Sequence, residues 1–401
     1  MLHARVLLPL LLLLSGFCGI AYEILYIKLL GNLLGNHFTI SATVLVSFLL
    51  GIGLGALYAY RFLKWLWAIE AGIGLYAALM VSGYGWIENF LYLEFPFLGA
   101  NLVACALFSS VLLLIPTFLI GCSIPLFAGY LGALRQSHVF SMTYAIYNVG
   151  GVLTVLLMEF VLLRALGLHR AALLLAAFNG VVALAVFALV RTTPLIAPPP
   201  RHHLRFPGRV LFALALASVA SAVFQLFMLK LAGFIFGPYN ESFSLVLANV
   251  LLGLAIGSGL STRSEMSFRG ALFISLAGLT FTLAFLPNVA SVYDWLHARV
   301  VDVYPLVVLL KFGLVFVLMG APAIGFGAMI PTLLKRYRHI ARESGQLLFV
   351  SSMANAVGFM LMGFFLHRYL DYGPLLLLLA LITVTALLVH AGPRQPVSWV
   401  A

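Results

Sequence analysis

Long apolar runs constrain this chain more than anything else in it. Stretches such as VLLPLLLLLSGFCGIAYEILYIKLLG, SLVLANVLLGLAIGSGL and GPLLLLLALITVTALLV recur from one end to the other. Each can cross a hydrocarbon core of roughly 30 Å, which takes about 20 helical residues. That core holds no water for backbone groups, so a run that crosses it must be helical. Composition agrees, with 64% of the 401 residues hydrophobic and 8% charged, where a soluble domain carries about a quarter charged. The fold class expected is an all-α polytopic membrane protein, surrounded by membrane lipid. The net charge of +11 would suggest nucleic acid in a soluble protein. Here the basic residues sit in short loops, where the positive-inside rule accounts for them, and no nucleic-acid partner is expected.

The sequence is duplicated. AYEILYIKLLG (21–31) aligns with VFQLFMLKLAG (223–233) at an offset of 202, placing Glu23 on Gln225, Lys28 on Lys230 and Gly31 on Gly233. The register continues through Gly35/Gly237, Gly51/Gly253 and Gly55/Gly257. PTFLIGCSIP (116–125) then matches PAIGFGAMIP (322–331), and Asn148 and Gly151 meet Asn355 and Gly358. Repeats in register predict two copies of one unit. Each copy reads as six helices, at about 6–30, 38–60, 63–84, 98–131, 138–165 and 169–190, then at about 209–236, 240–261, 269–287, 303–335, 345–369 and 373–391. The expected organisation is a repeat over 1–190, a proline-rich basic linker over 191–208, and a second repeat over 209–401. Pro116, Pro125, Pro322 and Pro331 are expected to kink the two long helices. Segments 85–97 and 288–302 are amphipathic and are expected to lie along the outer surface.

Loop charges set the orientation. Arg5, Arg61, Lys64, Arg135, Arg191, Arg201, Arg205, Arg209, Arg263, Arg269, Lys335, Arg336, Arg338, Arg342 and Arg394 fall on one side, and Arg164, Arg170, Arg299 and Arg368 on the other. Fifteen against four places both termini and the linker in the cytoplasm of a multi-pass protein of the cell (inner or plasma) membrane. An even helix number makes the two repeats parallel. The first segment imitates a signal peptide, but its repeat partner lies in mid-chain, so it is read as a retained first helix.

SGFCGIAYEILYIKLLGNLLG, GIGLGALYAYR and PTFLIGCSIP together resemble the membrane part of the spermidine-synthase-like fused proteins. Members of that family often add a soluble aminopropyltransferase-like domain after the helices. This sequence ends at Ala401, so the resemblance is not expected to bring polyamine synthesis with it. Lys28 stands where the family commonly has arginine. The membrane part looks like a relative of the major facilitator superfamily, which implies six plus six helices, parallel halves and a cytoplasmic linker. GALYAYRFLK is a degraded form of that superfamily's loop motif.

An ionisable group within a span costs at least about 2.5 kcal/mol at the bilayer centre and calls for a reason. Glu23 and Lys311 are expected roughly 10 and 12 Å below the outer boundary at 1.5 Å per residue, with Gln225 level with Glu23 by the repeat. In the superfamily resembled, helices one, seven and ten line the central cavity. Glu23 and Lys311 are therefore expected to face each other there, as a solute or proton site or as a structural ion pair. Asn148 and Asn355, with Tyr144 and Tyr147, form a polar stripe that either packs helices or lines the cavity. Lys28 and Lys230 are expected to snorkel, Glu70 to lie shallow near Arg61 or Lys64, and Glu159 and Arg164 to reach the interface. GIGLGAL (51–57) fits a loose dinucleotide pattern, but no strand precedes it and its glycines read as a helix-packing face.

Cys18, Cys105 and Cys122 show no paired spacing, and His37, His367 and His202–His203 show no ligand spacing, so no disulfide framework, metal or cofactor is expected. No catalytic motif is present and no enzyme activity is expected. The function expected is a transporter-like protein that moves or binds a small solute in a central cavity between the halves. The alternative is a non-catalytic scaffold whose cytoplasmic or outer loops dock a separate aminopropyltransferase-like or redox partner. A handler of hydrophobic molecules is a third reading.

Overall fold

The structure, a computed structural model, describes residues 2–34, 38–97, 101–134, 138–192, 203–237, 240–335, 341–391 and 398–400. Gly35, His37, Arg135, Arg201, His202, Arg336, Arg338, Arg394 and most of the linker lie outside them, as does the Cys105 side chain. Ten continuous stretches are long and apolar enough to span a membrane. Two of these hold two spans each, because 40 and 53 residues far exceed the length one crossing needs.

The first six spans are α1 (Leu2–Leu34), α2 (Phe38–Tyr58), α3 (Leu66–Ser82), α4 (Leu102–Leu134), α5 (Val139–Leu157) and α6 (Leu163–Thr192). A 3₁₀ turn, Ala59–Trp65, separates α2 from α3, and its Phe62 leaves helical geometry. Gly167, at φ 71°, breaks the helix where α6 begins. A methyl there would meet no atom within 4 Å, so glycine is needed for the left-handed backbone and not for space. The second six are α7 (Gly208–Phe236), α8 (Asn240–Arg263), α9 (Phe268–Phe285), α10 (Tyr304–Leu334), α11 (Ala341–Met360) and α12 (Tyr372–Ala391). The fifth helix of each set runs on into a wide π-helical segment, Met158–Leu162 and Leu361–Leu366. Pro116, Pro125, Pro322 and Pro331 are held inside continuous α4 and α10. Short helices cover Tyr84–Asn89 and Val289–Val300 within the two segments read as amphipathic.

Both sets pack alike. α1 lies against α5 and α6, α2 against α4, and α3 against α6; α7 lies against α11 and α12, α8 against α10, and α9 against α12. Glycine sets the closest approaches. A methyl at Gly55 would stand 1.9 Å from the Phe118 carbonyl oxygen, and one at its partner Gly257 would stand 2.0 Å from that of Ile324. Gly51 abuts Thr117 and Gly253 abuts Ala323 in the same way. The GIGLGAL glycines are thus a packing face, as the small-residue spacing predicts.

Between the sets, α2 packs on α11 and α5 on α8. Because α2 corresponds to α8 and α5 to α11, the two interfaces repeat each other, as a two-fold relation requires. The α5–α8 interface holds at both ends: Ser258 Oγ donates to the Ser141 carbonyl at 2.6 Å, and Ser244 Oγ donates to Glu159 at 3.2 Å. Six helices per set bring α1 and α7 in from the same end. There a two-stranded ribbon, β1 (His203–Arg205) with β2 (Ser398–Val400), ties linker to C-terminal residues. We call this the linker end and the other the far end. The described helices make this a multi-pass membrane protein.

Candidate solute cavity and far-end charge network

The cavity lies in the second helix set, with Tyr144 of the first at its edge, and the repeat shows what stands at the equivalent place in the first set. In the first set, Tyr147 of α5 lies on α1 at Gly19, where a methyl would come within 2.3 Å of its hydroxyl. At offsets of 202 and 207 the corresponding residues are Ser221 and Ala354. Alanine is too short to repeat that contact, and a cavity lies beside Ser221. It has a volume of about 80 Å³ and is lined by Ser218, Ser221, Gln225, Ser351 and Asn355, with Tyr144 from the first set. The remaining wall, from α7, α8 and α10, is mostly apolar and includes Val250, Leu254, Phe326 and Ile330. No lining residue carries a charge. Ser218 and Ser351 hydrogen-bond each other at 2.8 Å. Asn355 Oδ1 is buried with no hydrogen-bond partner among the described residues, an acceptor left unmet in the wall.

Of the residues singled out in the sequence, Gln225, Asn355 and Tyr144 come together in this wall. Asn148 is buried on α5, but its amide donates to the Tyr144 carbonyl one turn back, at 2.7 Å, and not to another helix. Glu23 is 9% exposed and makes no hydrogen bond or ion pair with any described residue. It does not meet Lys311. The Lys311 ammonium stands 3.8 Å from Glu241 and 5.8 Å from the centroid of the Phe236 ring. Rise per residue fixes depth along a helix but not the direction a side chain takes around it, which is why the expected pair fails.

Lys311 belongs instead to a far-end network across the halves. Glu241, in the first turn of α8, receives Arg164 of the first set at 3.3 Å and the Tyr304 hydroxyl at 2.5 Å. Arg164 also donates to Tyr304 at 2.9 Å. Nearby, Lys28 is 3.0 Å from Glu159, which in turn accepts from Ser244 of the second set. Lys28 is thus paired with a carboxylate, and Glu159 is 9% exposed. A lysine ammonium with a carboxylate in reach is better held by it than by headgroups. Its partner Lys230 does find only a carbonyl, that of His367, at 2.9 Å, and packs on the Tyr372 ring.

Glu70 also departs from expectation. It is fully buried, and Arg61 turns to Tyr60 instead, donating at 3.2 Å. Glu70 Oε1 accepts from Ser15 at 2.7 Å and from Ser123 at 3.0 Å, and Oε2 accepts from Asn179 at 2.8 Å. The Tyr22 hydroxyl completes the cluster by donating to Asn179 at 2.9 Å. Sequence reading missed Ser15, Ser123, Asn179 and the cavity serines because single hydroxyls and amides in apolar runs carry no spacing. The signal that finds Ser221 and Ser351 is the repeat, since they fall on Gly19 and Tyr144.

No protein-family model matches the chain, and no curated protein matches it. Solved structures do. The chain is similar to the human organic anion transporter MFSD10 (TETRAN), with a TM-score of 0.58 and 14% identity over 96% of this chain and 98% of that one. It is also similar to the major facilitator superfamily proton:xylose symporter XylE bound to 6-bromo-6-deoxy-D-glucose, with a TM-score of 0.56 and 12% identity over 95% and 94%. At these identities what is shared is architecture. The chain has the twelve-helix fold of major facilitator superfamily transporters.

Proposed function

We propose that this protein is a secondary transporter of a small, uncharged, hydrogen-bonding solute, held in the cavity beside Ser221. The cavity wall carries the reading. It offers three hydroxyls on α7 and α11 facing Gln225, Asn355 and Tyr144, with Phe326 and Leu254 to cover an apolar face and no charge to pair with an ion. A few placed polar groups in an apolar pocket are what orientation of a small ligand requires. The fold supports alternating access by rocking of residues 1–190 against 209–401, with the linker and termini in the cytoplasm of the cell membrane. The Arg164–Glu241–Tyr304 network acts as a far-end latch that must part for release on that side. Glu23, without a partner and level with Gln225 by the repeat, is the candidate for coupling to protons.

The spaced blocks shared with the spermidine-synthase-like fused proteins support kinship with their membrane part, and the scaffold reading rests on that kinship alone. Purified protein in vesicles, screened by counterflow against neutral polyols, neutral amides and their charged analogues, tests the proposal. Uptake of a neutral solute is expected, and it should be lost in Gln225→Leu and Asn355→Leu. Absence of uptake and of thermal stabilisation by every neutral probe would overturn it, and a soluble partner held by the same preparation would favour the scaffold.

A further inference from the structure

Glu70 sits in a polar cluster that the duplicated fold does not need. The 202 register places it on Leu272, and the buried positions of α3 and α9 agree: Leu66, Ile69, Glu70 and Ile73 fall on Phe268, Ala271, Leu272 and Ser275. The same registers place Ser15 on Ala217, Cys18 on Ala220, Tyr22 on Phe224 and Ser123 on Met329. The buried positions of α6 and α12 set Asn179 on Thr383, whose hydroxyl bonds only its own helix, at the Leu379 carbonyl. All of these second-half residues are buried. One half thus packs the site with apolar side chains, while the other assembles a carboxyl with three donors.

No cation pairs with Glu70 among the described residues. The groups facing it are Ser15, Cys18 and Tyr22 of α1, Ser123 of α4, Tyr147 of α5 and Asn179 of α6. An ionised carboxylate taken out of water without a cation is strongly disfavoured against its neutral acid. The serines suit both forms, since a hydroxyl can donate to the carboxylate or accept from the acid. One face of α1 also leads from this cluster to Glu23. Ser15, Gly19 and Glu23 follow at four-residue spacing, about 6 Å per step, along one face of α1. The Tyr147 hydroxyl lies on the middle one.

We propose that Glu70 is a proton-binding site of the first half, loaded and unloaded along the Ser15–Gly19–Glu23 face of α1 past the Tyr147 hydroxyl. Loading protonates a carboxylate oxygen. Unloading passes that proton to a water molecule on the Glu23 side and leaves a carboxylate that Ser15, Ser123 and Asn179 already meet. The site is independent of the solute reading, because it binds a proton whether or not anything is transported.

Infrared spectroscopy of the purified full-length protein, without solute, tests this. At neutral pH the wild type is expected to show the carbonyl absorption of a buried, protonated carboxyl. The component that Glu70→Gln removes and Glu70→Asp shifts is retained in Glu23→Gln, which removes only a component of its own. Tyr147→Phe keeps the band but slows its deuterium exchange about tenfold or more, as loss of a positioned proton carrier would. As a guard against misfolding, Ser15→Ala, Glu70→Leu, Ser123→Met and Asn179→Thr combined copy the second half's side chains, and this variant is expected to fold without the band. No such band in the wild type, or one unmoved in both Glu70→Gln and Glu70→Asp, overturns the proposal. Unchanged exchange in Tyr147→Phe overturns the route.

Discussion

The two halves share a chain path and a packing scheme, and they differ in what lies between their first and fifth helices. In the first half Tyr147 fills that space against Gly19; in the second, Ala354 stands in the tyrosine's place and Ser221, in the glycine's, lines the cavity. The first half buries a carboxyl cluster where the second buries Leu272, Phe224 and Ala217. Duplication supplies two equivalent frames, and a few side chains divide the work between them. Shared glycine contacts mark what the frame requires, and unshared polar groups mark what each half does with it.

The comparison breaks most directly if the second half can be given the first half's plug. Ala354→Tyr with Ser221→Gly is expected to close the cavity and weaken binding of the solute found by counterflow on the order of 100-fold, about 2.8 kcal/mol, measured by titration calorimetry. Undiminished binding would mean that the solute sits elsewhere. The frame itself predicts equality. Gly55→Ala and Gly257→Ala each force a helix pair apart at a backbone carbonyl and should each cost about 2 kcal/mol, read as similar losses of Tm in detergent. A large cost in one half alone would deny that the two share their packing. The lysines predict inequality. Lys28→Met strands Glu159, 9% exposed, with the Ser244 hydroxyl, and should cost about 1.5 kcal/mol, less than a fully buried pair because the lysine is partly exposed. Lys230→Met loses a carbonyl hydrogen bond and a ring contact, for about 1 kcal/mol or less. The reverse order in thermal unfolding would remove Lys28–Glu159 from the interactions that stabilise the first half.

The spans, their pairing into repeats and the glycine faces were legible in the sequence, because apolar length and small-residue spacing translate directly into helices and close contacts. The partners of charged groups were not. Lys28 and Glu159 come from helices whose relative rotation no one-dimensional pattern records, and the same holds for Lys311 and Glu241. Glu70 was misjudged through its neighbours in sequence, Arg61 and Lys64, when its neighbours in space come from α1, α4 and α6. The cavity lay half in view. Tyr144, Gln225 and Asn355 stood out as polar, but the apolar residues that enclose the rest of the cavity, Val250, Leu254, Phe326 and Ile330 among them, draw no attention in a chain this apolar.

The wide turns at the ends of both fifth helices fall out of register between the halves. A π segment arises most simply by inserting one residue into an α-helix, and the strain it adds selects against it unless it is used. The two stand at Met158–Leu162 and at Leu361–Leu366, and the register that pairs Asn148 with Asn355 sets the second about a turn earlier along its helix than the first. Each half therefore widens its fifth helix at its own place, and Lys28 and Lys230 meet different partners there, a carboxylate in one half and a backbone carbonyl in the other.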